Sequence, residues 1–449
     1  MTFRSLAFSN IRGKWRSYSA FFLSSVFSVM IFYIYAAFLA HPDVVNGNII
    51  AADKVRLGMI FCEYVIVIFS FLFVLYSNSA FLKTRKQEFG LFSLFGMTRM
   101  QLRKIVIYEN LTIAVLAISV GIGLGILFSK LFFIVLSMLL NMSDTITFVI
   151  PLQAVGLTMG SFLVLFTLIS FWSVLGIGRT EIIELLKASK KTKGELFYSP
   201  WLVALAIVSL LAGYTIALML NGGNFGLLDM QEFGMLAISI MVAVVIGTYL
   251  LYSQFSILLL RFIQKRFNIY YNRTNMLVIA QLGYKMKDNA RMLFIVSILS
   301  AIIVTASGAF SILAASTQQE ELKEMISITM FIGLFISLLF FIAAGSMIYF
   351  KLFTELKEDQ AQIKALIRIG ITDGEIRKIV FTQVGIIFFL PCVVGIVHAL
   401  VAMKALDNIL MSSNWFYSFI VIGIYLAMQT IYFLIACRSY MGSMLPKRI

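Results

Sequence analysis

The sequence predicts an all-α membrane protein: ten transmembrane helices in two parallel four-span repeats plus an inserted helix pair, with both termini cytoplasmic. Three observations predict it. Hydrophobic residues make up 61% of the chain and charged residues only 13%, against about 25% charged in soluble domains. Apolar runs occur near residues 18–39, 57–80, 107–129, 152–177, 200–220, 235–260, 292–315, 326–350, 379–402 and 416–436. At 1.5 Å per residue, a run of about 20 residues crosses a hydrocarbon core of about 30 Å. Finally, the polar loop Gly96-Met-Thr-Arg-Met-Gln-Leu-Arg-Lys-Ile-Val106 returns as Gly370-Ile-Thr-Asp-Gly-Glu-Ile-Arg-Lys-Ile-Val380, with six of eleven positions identical.

Taken in chain order, the elements follow from local pattern. The basic stretch before the first run resembles a signal peptide, but a run of about 22 residues exceeds a usual h-region, so a retained span is expected. That stretch, Asn10-Ile-Arg-Gly-Lys-Trp-Arg-Ser-Tyr18, has a partner 271 residues on, Gln281-Leu-Gly-Tyr-Lys-Met-Lys-Asp-Asn289. Both read as basic amphipathic elbows at the inner interface. The short apolar piece 131–141 is expected to be re-entrant or interfacial. Spans 1–4 therefore match spans 7–10, giving a first half over 1–177, a linker with spans 5–6 over 178–270, and a second half over 271–449. Corresponding helices are six spans apart, so the halves share one orientation.

Segments 1–17, 82–105, 178–195, 261–291, 351–378 and 437–449 hold 31 basic residues; the alternate loops hold five, Lys54, Arg56, Lys130, Lys323 and Lys404. This bias places both termini inside. It also accounts for the net charge of +15 through topology and anionic inner-leaflet lipid, with no nucleic-acid partner. Cys62, Cys392 and Cys437 lack paired spacing and read as small buried apolar side chains.

The repeated loop has its own grammar. Phe89, Phe92 and Phe95 recur at three-residue spacing, as on one face of a short helix. Gly96 is placed to end that helix in the left-handed conformation. Thr98 and Gln101 then form a capping-box pattern opening the next. The second copy has Ile363, Leu366 and Ile367, then Gly370, then Thr372 and Glu375. The expected result is a helix-break-helix knuckle, present twice, whose length exceeds what simple connection needs.

Together these features resemble the FtsX-like permease superfamily of ABC transporters, and within it the ten-span permeases of the bacitracin-efflux type. The resemblance is carried by Lys86-Gln-Glu-Phe-Gly-Leu-Phe-Ser-Leu-Phe-Gly-Met-Thr98, Arg103-Lys-Ile105 and Glu109, by Leu366-Ile-Arg-Ile-Gly-Ile-Thr372 and Arg377-Lys-Ile379, and by Ala20–Ser28. It implies a permease subunit in the bacterial cytoplasmic membrane that protects against cell-wall-directed peptide antibiotics. A separate ATPase subunit, one copy per knuckle, would bind ATP and Mg. The alternative role is flux-reporting partner of a membrane histidine kinase. Two departures stand out. Relatives of this type usually carry a large extracellular domain between spans 7 and 8, where this chain has only Ser316–Met325. The acidic residue represented by Glu109 becomes Gln383 in the second half.

The chain holds no catalytic or cofactor motif of its own. A phosphate loop requires Gly-x-x-x-x-Gly-Lys-Ser/Thr, and the one Gly-Lys pair, Gly13-Lys14, is followed by Trp15. Two histidines, His41 and His398, cannot make a zinc-protease motif, and no metal site is expected. Asn221–Gly226 reads as a turn. Ionisable groups within spans are costly and mark candidate sites. Glu63, followed at seven-residue steps by Ser70 and Ser77, has two readings: the lining of an outward-facing cavity for a lipid-linked pyrophosphate or peptide headgroup, or a stripe buried against span 1, with Glu63 reaching water or Arg56. His398, seven residues after Pro391, is either a ligand or gating residue or a hydrogen-bonded interfacial histidine. Gly121-x-x-x-Gly125 and Gly156-x-x-x-Gly160 permit close helix approach. A secondary transporter is disfavoured by the parallel repeat and the missing central charge relay.

Overall fold

The computed structural model describes the chain except residues 1–2, 14, 43–51, 140–147, 179–198, 221–229, 267–269, 272–273, 317–319, 412–414 and 445–449. The described residues are almost all helical, with no strand among them. In order they form α1 (Phe3–Gly13), α2 (Trp15–Leu39), α3 (Ala52–Thr84), α4 (Lys86–Leu94), α5 (Arg99–Leu139), α6 (Leu152–Gly178), α7 (Pro200–Met219) and α8 (Met230–Leu250). A π turn (Leu251–Phe255) leads into α9 (Ser256–Lys265), followed by α10 (Asn275–Ser316), α11 (Glu320–Arg368), α12 (Asp373–Ile409) and α13 (Trp415–Met444).

Among the described residues, nine helices are long and apolar enough to cross a membrane. The span expected at 57–80 lies within α3, where the apolar stretch Ile66–Leu82 is shorter than the other nine. The expected loop Asn221–Gly226 falls outside the described residues.

The chain divides into two compact units. The first comprises Met1–Thr192 and Glu320–Phe331; the second comprises Lys193–Gln319 and Ile332–Ile449. In the first, α2 is the central helix and packs on α3, α5 and α6. Its residues Val29–Phe38 are all buried, as expected of a helix that is apolar all round and surrounded by others. In the second unit α10 takes that place, against α12, α13 and the π turn. The pair α7 and α8 lies in this unit, with α7 against α12.

Two expectations change. Residues 131–139 are the last part of α5, not a separate re-entrant piece. The cause is aromatic packing: Phe132 and Phe133 meet Phe38 at 5.7 and 6.4 Å, and His41 lies 4.9 Å from Phe133. The second elbow is also no separate element. It is the first part of the 42-residue α10, held by a cluster of Leu260, Val278, Leu282, Met286 and Ile379. The first elbow, Asn10–Tyr18, runs from the end of α1 into the first turn of α2, and α1 packs mainly on α5.

Glycine spacing alone does not identify a packed face. A Cβ on Gly121 would lie 2.6 Å from Val29 Cβ, and one on Gly125 2.6 Å from Tyr33 Cδ1. These two glycines let α5 touch α2. At Gly156 and Gly160 the same atom meets nothing within 4 Å among the described residues, so no close approach is seen there.

Candidate functional site: the paired knuckles and the clusters behind them

Both knuckles are built by the local chemistry their sequence encodes. Gly96 has φ of 87° and Gly370 of 92°, the left-handed region that a side chain opposes. At each, the amide one residue beyond the glycine reverses the chain. Met97 N donates to Phe92 O at 3.1 Å, and Ile371 N to Leu366 O at 3.3 Å, the longer bond of a Schellman motif. The capping boxes follow directly. Thr98 N donates to Gln101 Oε1 at 2.8 Å and Gln101 N to Thr98 Oγ1 at 3.3 Å. Thr372 N donates to Glu375 Oε2 at 3.1 Å and Glu375 N to Thr372 Oγ1 at 3.4 Å. The knuckles differ in one respect. The chain breaks at Arg85 to set off α4, whereas α11 runs unbroken to Arg368.

The expected apolar ridge is redistributed. Phe89 is buried, packed with Leu102 and Val106, while Phe92 is half-buried against that cluster. Phe95 is 78% exposed and Leu91 and Leu94 stand out beside it. The outward face is therefore Leu91, Leu94 and Phe95, because a helix turns 100° per residue and positions 89 and 92 face the next helix. In the second knuckle Ile363 is buried and Leu366 half-buried, while Ile367 and Ile369 are exposed.

Behind the first knuckle lies a buried ionic cluster. The Arg85 guanidinium donates to Glu109 Oε2 through Nη1 and to Glu88 Oε2 through Nε at 3.1 Å. Asn10 Nδ2 donates to the other Glu109 oxygen at 3.1 Å. The guanidinium also faces the rings of Tyr18, Phe81 and Phe89 at 5.2, 5.5 and 5.1 Å, each an attractive placement. Burial by itself would lower the Arg85 pKa, but Glu109 outweighs it and the group stays charged.

The second unit has a different cluster in the corresponding place. Lys285 Nζ donates to Asp359 Oδ2 at 2.7 Å and to Gln383 Oε1 at 3.4 Å. The Tyr440 hydroxyl donates to that same Asp359 oxygen, and Gln383 Nε2 to Gln281 Oε1. Beside it lies a small cavity of about 20 Å³, lined in part by Lys285, Asp359, Ile363, Ile376 and Val380. In the repeat register, Ile363, Ile376 and Val380 correspond to Phe89, Leu102 and Val106. Where the first half has a packed phenylalanine ring, the second has a smaller side chain and open space.

These clusters were not among the sequence candidates, although one signal pointed to them. The 274-residue offset that pairs Glu109 with Gln383 also pairs Arg85 with Asp359.

The ligand candidates lie elsewhere. Glu63 is half-buried, while Ser70 and Ser77 are buried. Ser77 Oγ donates to Ser24 Oγ on α2 at 3.2 Å. At Ser77, therefore, the stripe turns toward span 1 rather than an open cavity. The Arg56 side chain lies outside the described residues. His398 is buried between Tyr214, whose hydroxyl lies 2.5 Å from Nδ1, and Thr248, whose Oγ1 lies 2.9 Å from Nε2. Thr248 already donates to Val244 O at 2.6 Å, so it accepts from Nε2–H, and Nδ1 accepts from Tyr214. Both ring nitrogens are engaged, the arrangement expected of a hydrogen-bonded histidine. No cluster able to hold a metal occurs among the described residues.

Comparison with known proteins places this geometry. The sequence model of the FtsX-like permease C-terminal family matches residues 60–182 and 334–443, each stretch enclosing one knuckle. The chain is 27% identical to the uncharacterized ABC transporter permease YvcS of Bacillus subtilis, with both proteins covered completely. That alignment runs to 653 positions against 449 residues here, so YvcS carries residues this chain lacks. The ABC transporter permease protein YxdM of the same organism is 40% identical over 72% of this chain and 50% of its own length. The bacitracin export permease protein BceB, also of B. subtilis, is 27% identical over 68% of this chain and 47% of its own. The chain thus matches about half the length of these last two relatives.

Proposed function

Because this chain belongs to the FtsX-like permease family, as a multi-pass protein of the cytoplasmic membrane, we propose that it is the permease subunit of an ATP-binding cassette transporter whose two knuckles dock a separate ATPase. The observation that carries the reading is the doubled knuckle. The two turns each present exposed apolar side chains, Leu91, Leu94 and Phe95 in one and Ile367 and Ile369 in the other. Burying a large apolar side chain in a partner's groove contributes about 1.5–3 kcal/mol. The chain lacks a phosphate loop, so ATP and Mg would be held by that partner, one copy per knuckle.

The finer architecture belongs to the same proposal. It is a ten-span, N-in/C-in chain with halves over 1–177 and 271–449 and a linker with an inserted pair over 178–270, supported by the basic bias and the doubled loop. The substrate class is a cell-envelope-active peptide antibiotic or its lipid-carrier complex, supported by the likeness to a permease named for bacitracin export. A role for Glu63 at an outer headgroup site would form part of it.

Co-purification from the native membrane tests the reading. Replacing Leu94 and Phe95 together by Asp is expected to abolish recovery of the ATPase without reducing membrane insertion, since both lie outside the spans. Undiminished ATPase recovery with the inserted double variant would place the coupling surface elsewhere. Recovery of a histidine kinase instead of an ATPase would support the flux-reporting role.

A further inference from the structure

The two buried clusters occupy the same places in the repeat. Elbow residues Asn10 and Gln281 correspond at the 271-residue offset; Arg85 and Asp359, and likewise Glu109 and Gln383, correspond at the 274-residue offset. The elbow-to-helix hydrogen bond is kept, from Asn10 to Glu109 in one half and from Gln383 to Gln281 in the other. The ion pair, however, is inverted. The knuckle-side residue is the cation in the first half, Arg85, and the anion in the second, Asp359. The opposite charge comes from the helix after the knuckle in the first half (Glu109), but from the elbow in the second (Lys285). The sequence counterpart of Lys285 in the first elbow is Lys14.

Packing alone does not call for this arrangement. Buried ion pairs are often replaceable by apolar side chains without loss of stability, whereas removing one partner is strongly destabilising. Two differently wired pairs at one point of a repeat therefore suit a task that requires a polar, directional tie there.

We propose that Arg85 with Glu109, and Lys285 with Asp359, are positioning residues that clip each knuckle to a different helix. The first knuckle is tied forward to α5. The second is tied back to the elbow part of α10 and, through Tyr440, to α13. Gln360 Nε2, which donates to Ser443 O at 2.7 Å, adds a second tie to α13. Movement of the two knuckles would thus be delivered to different helices. The inference rests on the proposed docking role only for what the knuckles receive.

Hydrogen exchange of the full chain in lipid nanodiscs, with no partner present, tests the ties. Glu109→Gln is expected to speed exchange across residues 86–98 about tenfold and leave 360–372 unchanged. Asp359→Asn is expected to do the reverse. The charge-swapped double variant Arg85→Glu with Glu109→Arg, which restores an ion pair between the same two positions, is expected to slow exchange at 86–98 again. Equal loosening of both knuckles by either single variant, no loosening, or no rescue by the swapped pair would overturn the proposal. Should Glu109→Gln fail to accumulate, Glu109→Asp, too short to span the gap, is expected to give a smaller rise at 86–98 alone; its absence counts against the ties. Because the sample contains no ATPase, this result stands apart from whether an ATPase docks.

Discussion

At the residue scale, the most discriminating positions are glycines that look alike in sequence. Gly121→Ala and Gly125→Ala each force a Cβ to 2.6 Å from an α2 side chain. Overpacking of this kind costs about 1–3 kcal/mol, and each variant is expected to melt several degrees below the parent in detergent. Gly156→Ala and Gly160→Ala meet no neighbour and are expected to leave the melting temperature unchanged. A thermal series over the four variants checks this, and equal losses would contradict the packing. Sequence shows two four-residue glycine spacings and no more, because what decides between them is Val29 and Tyr33 on another helix. The same holds for Phe89. Its spacing with Phe92 and Phe95 is visible, but the side it turns to is set by Leu102 and Val106.

At the element scale, the knuckles were the most legible part of the fold. Their glycine breaks and capping boxes close through hydrogen bonds three to five residues apart, so all the partners stand in one stretch of chain. The joining of α7 and α8 to α12 was not legible. His398 finds Tyr214 and Thr248 at separations of 184 and 150 residues, beyond the reach of any local pattern. Replacing it by Leu leaves the partner hydroxyls without the imidazole at a buried site. A loss of about 1–3 kcal/mol is expected, read as a lower melting temperature, with the antibiotic protection proposed above unimpaired in cells at moderate temperature. Loss of protection at full stability would return His398 to the ligand residues. The buried ion pairs fall between these cases. Each partner was visible and the offset linked the halves, but charge inversion hid the correspondence from a search for identical residues.

At the scale of the whole molecule, the 31-to-5 division of basic residues fixes the expected orientation. With the native cysteines removed, a cysteine in place of Lys187 is expected to react with an impermeant thiol reagent only from the inner side, and one in place of Asn224 only from the outer side. Labelling of both from one side would break the ten-span count. The length of α5 has a mechanical consequence. It starts within the first capping box, one residue after Thr98, and runs without interruption for 41 residues, about 60 Å at 1.5 Å each, roughly twice the hydrocarbon thickness. A rod of that length is a lever: tilting it about 10° around its inner end swings the far end by about 10 Å. A push applied only at the capping-box tip is therefore felt at the far end, with no joint between the two.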